Sequence, residues 1–78
     1  MAKQKIPVKP LIVSRIEAGM VMQSMRKKDM ADLFGIKVRM WNMWMHNPLH
    51  YLTLYRIEVI ATALRTTPEE LVRREEAA

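Results

Sequence analysis

Residues 37 to 46 read KVRMWNMWMH. Within this stretch lie an ammonium (Lys37), a guanidinium (Arg39), a carboxamide (Asn42) and an imidazole (His46), interleaved with Val38, Met43 and both tryptophans of the chain. These are the groups that read base edges: the arginine fork matches guanine, an asparagine amide matches adenine, and valine or methionine can touch a thymine methyl. Their availability depends on which side of an element they occupy. At about 100° per residue on a helix, with Lys37 at zero, Met40, Trp41, Trp44 and Met45 fall within roughly 80° either side. Arg39, Asn42 and His46 cluster near the opposite side, and Val38 and Met43 flank them. The two tryptophans lie about 60° apart on one stripe. The spacing predicts an amphipathic helix that buries its indoles in a core, in preference to a stacking platform for bases or a lipid-seeking patch.

The rest of the chain must position that helix. Residues 1–10, MAKQKIPVKP, hold Lys3, Lys5 and Lys9 with two prolines that oppose helix in the residue before each, and read as a flexible basic arm. From Leu11 to about Gln23, Val13, Ile16, Met20 and, as a further candidate, Met22 recur at helical spacing, interrupted by Gly19. In KKDMADLF, residues 27–34, a short helix sets Met30, Leu33 and Phe34 on one face and Asp29 and Asp32 on the other, and Gly35 stops it. Helical spacing resumes over residues 37–47 until Pro48. Thr53 is placed to cap a helix from Leu54 to Leu64 with Leu54, Ile57, Ile60, Ala61 and Leu64 buried. Thr67, Pro68 and Glu70 then form a capping-box start for a last helix. Nothing alternates like a strand, so the expectation is five helices and an all-α fold.

The totals bound the possibilities. Seventy-eight residues make one domain at most, and so short a chain buries only about 60 to 65% of its unfolded surface, which favours self-association or a partner. With no cysteine, neither disulfides nor thiolate metal sites are available. Charge is uneven: residues 1–40 hold nine Lys/Arg against three Asp/Glu, a balance of +6, whereas residues 41–78 hold four against five, a balance of −1. That polarity favours a polyanion such as nucleic acid. No run approaches the roughly 18 to 20 apolar residues of a spanning helix, no signal-peptide pattern is present, and a cytoplasmic location is expected. Catalysis is not expected, because there is no glycine-rich phosphate loop, and Ser14 and Ser24 have no visible base partner. His46 and His50 are four apart, but Pro48 between them keeps one helical face from presenting both to a metal.

The run KKDMADLFGIKVRMWNMWMH resembles the helix-turn-helix of the Cro and phage-repressor family, the Xre-like or lambda-repressor-like regulators. Ala31 stands where the two helices cross, Gly35 stands in the turn, and Met30, Phe34, Ile36, Trp41 and Trp44 hold the family's core positions. IATALRTTPEEL at residues 60–71 is similar to the family's fourth helix and the capped start of its fifth. The sequence departs from the pattern at Arg26, Lys27, Lys28, Lys37, Trp41 and Arg65, the last standing where glycine is frequent.

The resemblance implies an all-α, compact five-helix lambda-repressor-like DNA-binding domain over residues 11–76, with the helix-turn-helix at about 27–47 and the basic arm before it. It also implies a homodimer on double-stranded DNA and, because little chain follows the fifth helix, a Cro-like repressor without a second domain; a phage origin is compatible with it. On this reading Lys37, Arg39 and Asn42 read bases with Val38, Met43 and His46 at the margins, while Lys27, Lys28 and the arm lysines Lys3, Lys5 and Lys9 hold phosphates. Candidate pairing surfaces are the LHYLTLY segment at 49–55 and the last helix with Leu71 and Val72. No cofactor, metal, membrane or small-molecule substrate is expected. The alternative is a protein-interaction module of the same fold, such as a small antirepressor, in which Met40, Met43 and Met45 form an adaptable apolar surface.

Overall fold

The computed structural model describes residues 11–73. Six helices follow in order: α1 Leu11–Met22, α2 Lys27–Leu33, α3 Val38–His46, α4 Pro48–Tyr51, α5 Leu54–Ala63 and α6 Pro68–Val72. No strand occurs among the described residues. α2 packs on α3 and α3 on α4, while α1 and α5 both pack on α6. Between these groups lies a core whose largest fully buried side chains are Trp41, Ile16, Met30 and Ile60. Among the described residues, no polar or charged one is buried.

The helix starts follow from side-chain chemistry. Thr53 Oγ1 accepts the Arg56 N–H at 3.2 Å, and Thr67 Oγ1 accepts the Glu70 N–H at 3.2 Å, with Pro68 in the first helical turn of α6. The capping box at Thr67 is only half formed, because the Glu70 carboxylate lies 3.6 Å from Arg73 Nη2 instead of turning back. At α2 the cap position is Arg26, whose side chain has no acceptor, so the stabilising bond runs the other way: Asp29 Oδ2 accepts the Arg26 N–H at 2.8 Å. The sixth helix is an addition to the five expected. Pro48 ends α3 as anticipated, but a proline needs no donor in a first turn, so it also starts α4, closed by Leu52 N–H to Pro48 O at 2.8 Å.

Three helix ends share one geometry. After α2, Gly35 takes φ +64°, and Gly35 and Ile36 donate back to Asp32 O (3.2 Å) and Ala31 O (3.1 Å). The same pair of bonds recurs after α1 around Ser24 (φ +55°), with Met25 N–H to Met20 O at 2.8 Å, and after α5 around Arg65 (φ +60°), with Thr66 N–H to Ala61 O at 2.9 Å. Glycine occupies this left-handed position without penalty, whereas Ser24 and Arg65 each accept backbone strain of about 1 to 2 kcal/mol.

The stripes are largely those expected, with four corrections. Val13, Ile16 and Met20 of α1 are buried, but Met22 is 80% exposed, since it lies about 200° around the helix from Met20. Leu33 is exposed, because the inward direction of α2 runs through Met30, Ala31 and Phe34, and Leu33 lies roughly 100° from it. Leu54 is 69% exposed at the first position of α5, although Ile57, Ile60, Ala61 and Leu64 are buried. Met40, expected inward, is 39% exposed. Gly19 is a contact point: a Cβ there would lie 3.0 Å from Leu64 Cδ1, so its bare backbone lets α1 approach the end of α5.

Relief of the left-handed strain at Arg65 gives a stability test. Arg65→Gly is expected to raise the unfolding free energy by about 0.5 to 1 kcal/mol, the strain relieved less the freedom glycine adds to the unfolded chain. A higher urea midpoint at unchanged slope would report it; a lower midpoint would mean that the Arg65 side chain stabilises the fold by more than its backbone strains it.

Candidate nucleic-acid interface

α3 is nine residues long and its two faces are chemically opposite. On the inner face Trp41 is 1% and Trp44 4% exposed, with ring centroids 6.4 Å apart. Phe34, at the end of α2, meets Trp44 edge-on at 5.0 Å and 75°. The Arg56 guanidinium of α5 lies 4.1 Å from the centroid of a Trp44 ring and donates through Nη1 to Tyr51 O at 2.6 Å. Trp44 is therefore held by an aromatic ring and a cation, and together with the burial of Trp41 this fixes the rotation of α3 about its own axis.

The outer face carries the residues selected from sequence. Lys37, at the N-cap position, Val38, Arg39, Met43 and His46 are exposed, and Asn42 is half-buried. His46 Nδ1 lies 3.3 Å from Asn42 O, which orients the ring along the helix surface. Met40 stands on the exposed side as well, next to Met43 around the helix, so the apolar part of this face is larger than the spacing had indicated.

Beside α3, the start of α2 exposes Arg26, Lys27 and Lys28. Acidic neighbours temper that edge: Lys28 Nζ lies 3.2 Å from Asp32 Oδ2, and Arg26 Nε lies 3.7 Å from Asp29 Oδ2. The Lys28 pair is exposed on both sides, so it contributes only about 0.3 to 0.5 kcal/mol and yields readily to a stronger anion. Lys3, Lys5 and Lys9 lie outside the described residues.

Arg56 was invisible as a site residue in the sequence. Nothing in its spacing from Thr53 says that its guanidinium folds over Trp44. Arg15 is a second such case, since its Nη1 donates to Glu70 O at 2.9 Å and to Arg73 O, tying α1 to the end of α6.

The sequence profile of the Cro/C1-type HTH DNA-binding domain matches residues 15–77, spanning all of α2 through α6 and most of α1. Comparisons with curated proteins and with solved structures gave no match.

The two faces of α3 are expected to respond differently to truncation. Arg39→Ala should shift unfolding by less than about 0.5 kcal/mol, as surface changes do. Trp41→Ala should remove about 3 to 5 kcal/mol. Urea titrations followed by far-UV circular dichroism would check this, and an Arg39→Ala loss as large as that of Trp41→Ala would contradict the assignment of faces.

Proposed function

The chain belongs to the Cro/C1-type HTH DNA-binding domain family, and we propose that it is a sequence-specific regulator of transcription, a Cro-like repressor that lays α3 in the major groove of double-stranded DNA. The observation that carries this reading is the division of α3: indoles sequestered on one side, and a guanidinium, an amide, an imidazole and an ammonium at the helix start on the other. Lys37, Arg39 and Asn42 take base edges, Arg39 suiting guanine and Asn42 adenine, while Val38, Met43 and His46 work at the margins of the contact. Lys27 and Lys28, at the start of α2, take backbone phosphate, and the arm lysines Lys3, Lys5 and Lys9 add charge along the duplex. Such a regulator works where the DNA is, in the cytoplasm; no described helix is long and apolar enough to cross a membrane. It needs no cofactor for this task.

The regulator binds as a homodimer on half-sites about one helical turn apart. The two surfaces that the sequence offered for pairing support one another, because they line a single groove of about 340 Å³. Leu49 and Leu52 come from the α4 region, Leu71 and Val72 from α6, and Leu11 from the start of α1. Leu49 is 97% exposed three residues beyond the end of α3, a position from which a second copy would set the spacing of two recognition helices.

A second reading, capture of another regulator by an apolar face, draws on one observation: Met40 and Met43 are exposed side by side on α3, although Met45, the third methionine expected there, is half-buried against the core. A gel shift on nonspecific DNA at two salt concentrations separates the readings. Retardation that weakens with salt supports DNA, and none at low salt supports the protein partner.

Two tests address the parts of the DNA reading. Arg39→Ala should reduce operator affinity by about 1 to 3 kcal/mol and relax preference at one base position in a selection of bound oligonucleotides, whereas Lys27→Ala should weaken all sequences alike and reduce the salt slope by about one. An unchanged selected sequence for Arg39→Ala, or an unchanged slope for Lys27→Ala, removes that residue from its role. Leu49→Glu should convert a sedimenting dimer to a monomer without unfolding it; a wild-type chain monomeric both free and on operator-length DNA would refute dimerisation.

A further inference from the structure

We propose that Arg56, on α5 and outside the helix-turn-helix, is a positioning residue that sets the angle at which α3 presents its outer face, an inference that rests on α3 being the recognition helix. Three observations meet at this side chain. Its guanidinium lies 4.1 Å from the centroid of a Trp44 ring, on the inner face of α3. Its Nη1 donates at 2.6 Å to the carbonyl of Tyr51, the last residue of α4. Its backbone is held in the first turn of α5, where its N–H is bound by the Thr53 hydroxyl.

The arrangement of helices gives that contact its weight. α3 packs chiefly on α2 and α4, whereas α1 and α5 pack on α6. Arg56 reaches from the second group to two members of the first at once. Trp44 also meets Phe34, so the indole contacts both the end of α2 and the start of α5. Turning α3 about its axis slides Trp44 out from under the guanidinium, and shifting α4 breaks the bond to Tyr51. A guanidinium spreads its charge over several N–H donors, so one group can lie over the ring while its Nη1 holds the carbonyl. An ammonium, with its charge on a single atom, meets one or the other. Arg56 is half-buried beneath the structure that carries the base-reading residues, so its effect on recognition passes through Trp44.

The test compares Arg56→Lys, which keeps the charge, with Arg56→Met, which keeps the apolar stem, in the full chain. Binding is titrated against the oligonucleotide selected by the wild type and against scrambled DNA across a range of salt, and backbone amide shifts are recorded by NMR without DNA. Both variants are expected to keep their helices and to lose about tenfold in affinity for the selected sequence, within the range that one good base contact is worth, while affinity for scrambled DNA and its salt slope hold in Arg56→Lys. Their amide shifts should move along residues 38–46 as well as around position 56. The proposal is overturned if Arg56→Lys discriminates as the wild type does, if selected and scrambled DNA lose affinity in equal proportion, or if Arg56→Met alone lowers the salt slope by about one, the mark of a direct phosphate ligand. Should the wild type itself prefer no sequence, the recognition reading fails, and the NMR arm still decides on Arg56: shifts confined to α5 and Tyr51 would deny it any hold on α3.

Discussion

Burial of two indoles on one short helix is the constraint from which the rest of this fold follows. Trp41 and Trp44 are 1% and 4% exposed on a helix of nine residues. Each indole buries on the order of 150 to 250 Å², which at about 25 cal/mol per Å² amounts to several kcal/mol apiece in a domain with little stability to spare. No other rotation of α3 keeps both rings out of water. Once they face inward, the sidedness of every other residue on α3 is determined: Arg39 and His46 point directly away, Asn42 and Met43 flank them, and Met40 and Val38 lie at the border. The outer face is a geometric by-product of the inner one.

Electrostatics adds direction to that geometry. The positive excess of residues 1–40 is not spread evenly over the described part of the molecule, because Asp29 and Asp32 on α2 sit against Arg26 and Lys28. Both pairs are surface pairs, screened by salt and weak. They organise the cationic edge without cancelling it, and a polyanion with closely spaced charges competes with a single carboxylate for the same ammonium. The negative balance of residues 41–78 lies partly on α6, where Glu69 and Glu70 occupy a first helical turn, a place that favours acidic side chains.

Much of this was legible in the sequence, for identifiable reasons. The opposition between Trp41/Trp44 and Arg39/Asn42 could be read because α3 is regular and its polar and apolar residues differ sharply. Thr53 and Thr67 could be read as caps because a hydroxyl at a helix start has a specific partner. Gly35 could be read as a stop because glycine alone takes a left-handed turn freely. What escaped shares a different character. Ser24 and Arg65 adopt the same turn as Gly35, yet Ser24 carries no sign of it and Arg65 only the resembled family's frequent glycine at that place, since tertiary packing overrides local preference there. Leu33, Leu54 and Met40 are apolar at the borders of their stripes, where exposure depends on what the neighbouring helix covers. Arg56 and Arg15 act through contacts with other helices, which no local spacing encodes. The lysines of the arm lie outside the described residues.

Among the described residues, the core contains no buried polar or charged side chain. Packing that relies on shape and volume, with no directional bond inside, tolerates exchanges among apolar residues of similar size. It also makes no demand on the exposed side of α3, whose side chains contribute little to holding the helices together. Inner and outer residues of one helix are thus under separate physical control. Lineages carrying this scaffold are free to drift at positions 39, 42, 43 and 46 without first acquiring compensating changes within, so the surface that α3 displays can diversify while the architecture stays put.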